Sequence, residues 1–124
     1  MDYFQTYEKE CPCCGLNLVD KAENMDFLRA LNTGRELFGG PMNAVSMTRC
    51  PKHNREVGGA EHSAHPDGRA ADIECHGTEE REHMVRALSH AGFRRFELKK
   101  NNIHVDMKIG APDMLTFKTE EGLV

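Results

Sequence analysis

Ten residues near the middle of the chain restrict its fold more than any other stretch: Ser63-Ala64-His65-Pro66-Asp67-Gly68-Arg69-Ala70-Ala71-Asp72. Pro-Asp-Gly is strong turn chemistry. Proline presets φ, aspartate bonds to nearby backbone, and glycine enters left-handed conformations without steric cost. The chain therefore reverses between His65 and Asp72, so the two side chains can meet although they lie seven positions apart. Beyond the turn, Ala70 and Asp72 share a strand face, and the small Ala70 leaves room beside the carboxylate.

The flanking segments carry clear periodicities. Met25, Leu28 and Leu31, with Leu37 and Phe38, recur at helical spacing, which predicts a helix over about 22–38 that Gly39-Gly40-Pro41 stops. Residues 42–47 alternate weakly and read as a strand. Residues 49–69 form a long Gly-, Pro-, Asn- and His-rich loop with a short helical turn near His53–Val57. Arg69–Glu74 reads as a second strand. Thr78 is placed to cap a helix over 79–91, with Glu79, Glu80 and Glu82 in its first turn and Met84, Val85 and Leu88 on one face. Gly92 ends it.

Residues 93–109 read as a β-hairpin, with Phe96 and Leu98 alternating on one arm and Ile103 and Val105 on the other. The element order predicts an α+β domain in which helices pack on one side of a small antiparallel sheet. A length of 124 residues suits one domain spanning 1–124, with its motif-bearing core at about 11–109.

Composition narrows the function. The chain is 39% hydrophobic and 29% charged, as soluble domains are. A net charge of −4 argues against a nucleic-acid partner. No apolar run approaches the ~18 residues of a membrane span. The start, M-D-Y-F-Q-T-Y-E-K-E, has no basic n-region and no apolar h-region, so no secretory signal is expected and synthesis in the cytoplasm is. Seven histidines and five cysteines are many for so short a chain and point to a metal.

The second chemical unit is His104-Val105-Asp106 on the last arm of the hairpin. Its polar side chains point to one face while Ile103 and Val105 point to the other. Together with His65 and Asp72 it offers two imidazoles and a carboxylate. That set matches a catalytic zinc site, where three protein ligands leave a fourth position for water. The metal lowers the pKa of that water and polarises a carbonyl.

Here the residues resemble a known family. S-x-H-x-x-G-x-A-x-D followed by H-x-D is similar to the signature of the zinc D-Ala-D-Ala carboxypeptidase-like peptidases. That clan also holds vancomycin-resistance dipeptidases, phage endolysin peptidases and the hedgehog N-terminal domain. Ser63, His65, Gly68, Ala70, Asp72, His104 and Asp106 all fall on defined positions. F-G-G-P before a strand, then S-x-x-R-C-P-x-H-N-x-x-V-G-G, is similar to the compact branch of phages and bacteria. The resemblance implies that His65, Asp72 and His104 hold one catalytic Zn2+, and that Arg49 and Ser63 contact the substrate, Arg49 through a carboxylate. It implies hydrolysis of an amide in peptidoglycan stem peptides by a monomer. The enzyme would be a carboxypeptidase or an L-Ala-D-Glu-type endopeptidase, and would meet the cell wall after release if it is a phage-type lysin.

One position departs from the pattern. Several relatives carry an acid three residues before the last zinc histidine, and here that residue is Asn101. Amide hydrolysis still needs a group that takes a proton from water and delivers it to the leaving amine. If Lys100-Asn101 forms the turn, Glu97 lies opposite His104; if Asn101-Asn102 does, Glu97 lies opposite Asp106. Both registers put Glu97 on the metal face. Glu97 is the favoured base and Asp106 the second candidate, although Asp106 is more naturally a group that orients a ligand histidine. Without a base, the alternative is a non-catalytic zinc domain that binds peptide or cell wall.

The remaining histidines, His53, His62, His76, His83 and His90, read as solvated or structural. The cysteines carry three readings. Cys11-Pro-Cys13-Cys14 contains C-x-x-C and Cys50-Pro-Lys-His53 contains C-x-x-H, which together could make a second, structural zinc site at Cys11, Cys14, Cys50 and His53. The simpler reading is free thiols, with Cys75 packing at the end of its strand. A disulfide to Cys50 after export is a third.

Overall fold

A computed structural model describes residues 1–117; residues 118–124, the end of the expected single domain, lie outside the described residues. Among the described residues, four α-helices and five strands follow one another as α1 (Thr6–Lys9), α2 (Met25–Phe38), β1 (Ala44–Ser46), α3 (Pro51–Glu56), β2 (Ala70–Glu74), α4 (Thr78–His90), β3 (Arg95–Leu98), β4 (Asn102–Asp106) and β5 (Met114–Phe117). The strand order is β1-β2-β4-β3-β5. The first four are antiparallel neighbours, and β5 joins β3 in parallel at the edge. The α+β architecture and the antiparallel centre are as expected. The parallel edge strand is additional: Leu115, Thr116 and Phe117 are exposed, so no buried face imposes a readable alternation there.

The sheet separates packing from chemistry by the two-residue period of a strand. Ala71 and Ile73 of β2, Phe96 and Leu98 of β3 and Ile103 and Val105 of β4 join one core cluster with Phe27, Leu28 and Leu31 of α2 and Met84 and Leu88 of α4. The intervening residues face the other way. Asp72 lies across from His104, His104 from Glu97, and Ser46 from Asp72. A second row sets Ala70 against Asp106 and Asp106 against Arg95. The hairpin closes through Lys99 N–H donating to Asn102 O at 3.0 Å, so Lys100-Asn101 is the turn, and the register that pairs Glu97 with His104 is the one adopted.

Several element boundaries moved, and one short helix is new. Pro51 opens α3, two residues earlier than the expected turn, because proline suits the first helical position. Gly77 precedes α4 and Thr78 is its first residue, without a capping side-chain bond. The start of the chain contains α1, too short to show periodicity. Glu8 holds it, accepting from Gln5 N–H at 2.8 Å and from Ala44 N–H of β1 at 2.9 Å. Among the described residues no helix is long and apolar enough to cross a membrane.

The turn between His65 and Asp72 is a short 3-10 segment over His65–Asp67 that ends at Gly68, with φ +74°. Asn24 clamps it from behind, donating to Asp67 O at 2.9 Å and Leu18 O at 2.8 Å. Arg69 is buried and forks onto Asp26 at 2.7 and 2.8 Å, while its Nε donates to Met107 O at 2.7 Å. A Cβ on Gly68 would lie 2.5 Å from Leu18 Cβ and 2.8 Å from Asn24 Nδ2. Gly68→Ala is therefore expected to destabilise the fold by more than the ~1–2 kcal/mol of a left-handed L-residue alone. Urea denaturation checks this; a midpoint equal to wild type would contradict it.

Candidate metal centre and its cleft

One ligand atom each from His65, Asp72 and His104 lies within 4.8 Å of the other two. The turn supplies His65, β2 supplies Asp72, and β4 supplies His104 directly across from Asp72. Asp72 Oδ1 sits 3.0 Å from His104 Nδ1 and 3.3 Å from His65 Nε2. Each ligand is also held from its far side. His65 Nδ1 lies 2.5 Å from Met47 O. A carbonyl only accepts, so Nδ1 carries the proton and Nε2 presents its lone pair. That Nε2 is buried and makes no aligned hydrogen bond among the described residues. Asp72 Oδ2 accepts from Arg49 Nη2 at 2.7 Å. His104 Nε2 faces Asp106 Oδ2 at 2.6 Å. A buried lone pair, a buried carboxylate and a second imidazole, each oriented by an outer partner, fit a divalent metal with N and O ligands.

The charges follow from burial and pairing. Burial presses the His104 imidazole towards neutrality, but the Asp106 and Asp72 carboxylates overcome it and raise its pKa to about 9. Burial would likewise favour a neutral Asp72. The hydrogen bond with His104 overcomes that and holds its carboxyl well below the usual carboxylate range. Asp106 is lowered too: burial opposes ionisation, and His104, the Lys108 N–H and Arg95 prevail.

All seven residues singled out from the sequence line one cleft of about 280 Å³: Arg49, Ser63, His65, Asp72, Glu97, His104 and Asp106. Their surroundings differ. Arg49 is spread over three acceptors, Asp72, Ser46 Oγ at 3.1 Å and Asn54 Oδ1 at 3.2 Å. Ser63 Oγ accepts from His65 N–H at 3.1 Å. Asp106 has both oxygens engaged, because Oδ1 also accepts from Arg95 Nε at 2.7 Å and Lys108 N–H at 3.0 Å. Glu97 is partly exposed in the cleft, with Lys99 Nζ 3.6 Å from its Oε1.

Sequence reasoning missed Arg95, Lys99 and Lys108, which also line the cleft. Arg95 and Lys99 share the strand parity of Glu97, and that parity was the available signal. The Met47 carbonyl had no signal, since any residue carries one. His62 lines the cleft while remaining exposed. His83 Nε2 bonds Phe38 O at 2.8 Å, a structural role as expected. The cysteine grouping differs in one member. Cys11, Cys13, Cys14 and Cys50 form the cluster, and His53 contributes its backbone N–H to Cys50 Sγ at 3.4 Å in place of its ring.

A mononuclear N/O centre in the face of a small α+β sheet is the class that fold and site define. The sequence model of the Peptidase M15 family matches residues 3–106, and the chain belongs to that family. The family is one of zinc peptidases, and the His65/Asp72/His104 group fits its metal. No individual curated protein matches the chain.

A pH dependence follows from His104. Its raised pKa means that the metal-free fold gains stability from the bound proton below about pH 6.5, and that this gain is lost as pH rises through about 9. A metal ion needs the Nδ1 lone pair, so between these pH values zinc binding should release close to one proton, and affinity should rise with pH. Calorimetry in buffers of different ionisation enthalpy measures the release. No proton release at pH 7.5 would contradict the assignment.

Proposed function

We propose that this peptidase cleaves an amide bond in peptidoglycan stem peptides, as a D-Ala-D-Ala carboxypeptidase or an L-Ala-D-Glu-type endopeptidase, with Glu97 as general base. The observation that carries the reading is the row Asp72–His104–Glu97 across three neighbouring strands at the floor of one cleft. When bound, zinc at His65, Asp72 and His104 supplies an activated water near neutral pH and polarises the scissile carbonyl.

The chain's own residues then divide the work. Glu97 takes the proton from water and returns it to the leaving amine. Asp106 has both oxygens engaged, which suits it to holding the His104 ring and not to moving protons. Arg49 uses three of its five N–H groups inside the protein and keeps two for a substrate carboxylate. Ser63 keeps its hydroxyl proton to donate. Although the chain carries a net charge of −4, the cleft sets Arg49, Arg95, Lys99 and Lys108 against Asp72, Glu97 and Asp106, a local excess of one positive charge. Stem peptides carry free carboxylates, which that local excess of positive charge attracts.

Glu97→Gln keeps the shape and removes the carboxylate. It is expected to lower kcat by about 10²–10⁴-fold while zinc at the His65 centre is retained. Turnover on purified wall, with mass analysis of the released fragments, tests both the base and the bond. A Gln variant as active as wild type would remove Glu97 from this role. Intact wall after incubation with the zinc-loaded wild type would favour the non-catalytic zinc domain that binds peptide or wall.

A further inference from the structure

Four of the five cysteines have no part in the peptidase chemistry, yet their placement is ordered. Cys11, Cys13 and Cys14 lie in the turn after α1, and Cys50 immediately precedes α3. One sulfur from each lies within 4.8 Å of the other three. Cys13 Sγ is 3.3 Å from Cys50 Sγ and 3.6 Å from Cys11 Sγ, and all five cysteines are free thiols.

The backbone is folded around the sulfurs. Cys14 N–H and Gly15 N–H both donate to Cys11 O, at 3.3 and 2.8 Å, and Gly15 takes φ +77° to close this turn. Two further amides point at sulfur: Cys50 N–H donates to Cys11 Sγ and His53 N–H to Cys50 Sγ, both at 3.4 Å. Amides aimed at sulfur favour the thiolate. Core packing does not account for the cluster, because Cys13 and Cys14 are exposed; Cys75, buried in the core cluster, is what a packing cysteine looks like here. Neutral thiols are weak donors and weak acceptors, so they gain little by meeting one another. A soft divalent cation gains much from four thiolates.

We infer that Cys11, Cys13, Cys14 and Cys50 form a second, structural metal site that takes zinc and clamps the turn after α1 to the start of α3. Binding replaces thiol protons, which leave to solvent, and changes no oxidation state. Four sulfur ligands complete a tetrahedron and leave no position for water, which separates this site from the three-ligand centre. The clamped strand of chain is the one that backs the metal centre. Thr48 N–H donates to Lys9 O and Arg49 N–H to His65 O, both at 3.3 Å, and Met47 O holds the His65 ring. Arg49 is the residue directly before Cys50.

The test is metal content in protein purified under reducing conditions and dialysed against zinc chloride. Wild type is expected to hold two zinc ions per chain, and the double variant His65→Ala/His104→Ala one. Cobalt(II) exchanged into that double variant should give the intense near-ultraviolet thiolate-to-cobalt bands. Cys13→Ser/Cys14→Ser should lose those bands and one metal ion. If the cysteine variant does not fold, the cobalt spectrum of the histidine variant decides alone. Wild type that holds a single zinc, a histidine variant that is folded by circular dichroism yet binds no metal, or cobalt bound without thiolate bands would overturn the inference. So would an intact mass two or more hydrogens short in protein purified with zinc but without reductant, the mark of a disulfide. Wall hydrolysis enters none of these measurements, so a failure of the peptidase reading leaves the second site standing, and the reverse.

Discussion

A carboxylate buried in the middle of a sheet governs the arrangement of everything near it. Asp72 is 5% exposed, and an unpartnered charge at such depth would neutralise or unfold its surroundings. The protein answers with three partners from three parts of the chain: His65 from the turn, His104 from β4 and Arg49 from the segment after β1. Each partner is itself fixed from outside, by Met47 O, by Asp106, and by Ser46 and Asn54. The pairing register shifts between Ala44 and Ser46, and this brings Ser46 level with Asp72, where its hydroxyl accepts from Arg49 Nε. Removing Arg49 or His104, the charged partners, would strip that buried carboxylate of compensation, a loss on the order of 3–5 kcal/mol for ion pairs of this kind. Stability and site geometry are therefore the same network seen twice.

The rest of the site follows from strand parity. Once Ile73, Ile103, Val105, Phe96 and Leu98 face α2 and α4, Asp72, His104 and Glu97 must face the opposite side. The adjacent row places Ala70 beside Asp106 and Arg95, and alanine leaves the space that Asp106 uses to reach His104 Nε2. A slip of one residue between β2 and β4 would turn the metal face into the core face, so the hydrophobic layer protects the register on which the ligands depend.

These relations explain which features were legible in the sequence. The Pro66-Asp67-Gly68 turn and the alternation around Phe96 and Val105 each express a local rule, and they were enough to bring His65, Asp72, His104 and Glu97 together. Partners drawn from backbone, such as Met47 O, have no residue signature. The dense bonding of Arg49 depends on Asn54 of α3, whose start is set by Pro51, and on the bulge in β1; neither is a periodicity. β5 was invisible because most of its side chains face solvent. In the cysteine cluster, spacing favoured Cys14 and His53 as the ends of two familiar intervals, whereas the tight turn closed by Gly15 brings the intervening Cys13 to the sulfurs.

The same geometry gives a reason for the amide at position 101. Asn101 sits in the exposed two-residue turn, before β4 begins at Asn102. It lies three residues from His104, about 10 Å along an extended chain, and at odd parity to it. A carboxylate there would have to return to the metal face by a longer excursion of the backbone than this short hairpin contains. Glu97 needs no such excursion. Directly opposite residues in an antiparallel pair have Cβ atoms about 5 Å apart, within reach of a side chain leaning over the neighbouring imidazole. In the proposed reaction, a tight hairpin thus moves the acidic position from the segment before the last histidine to the strand across from it.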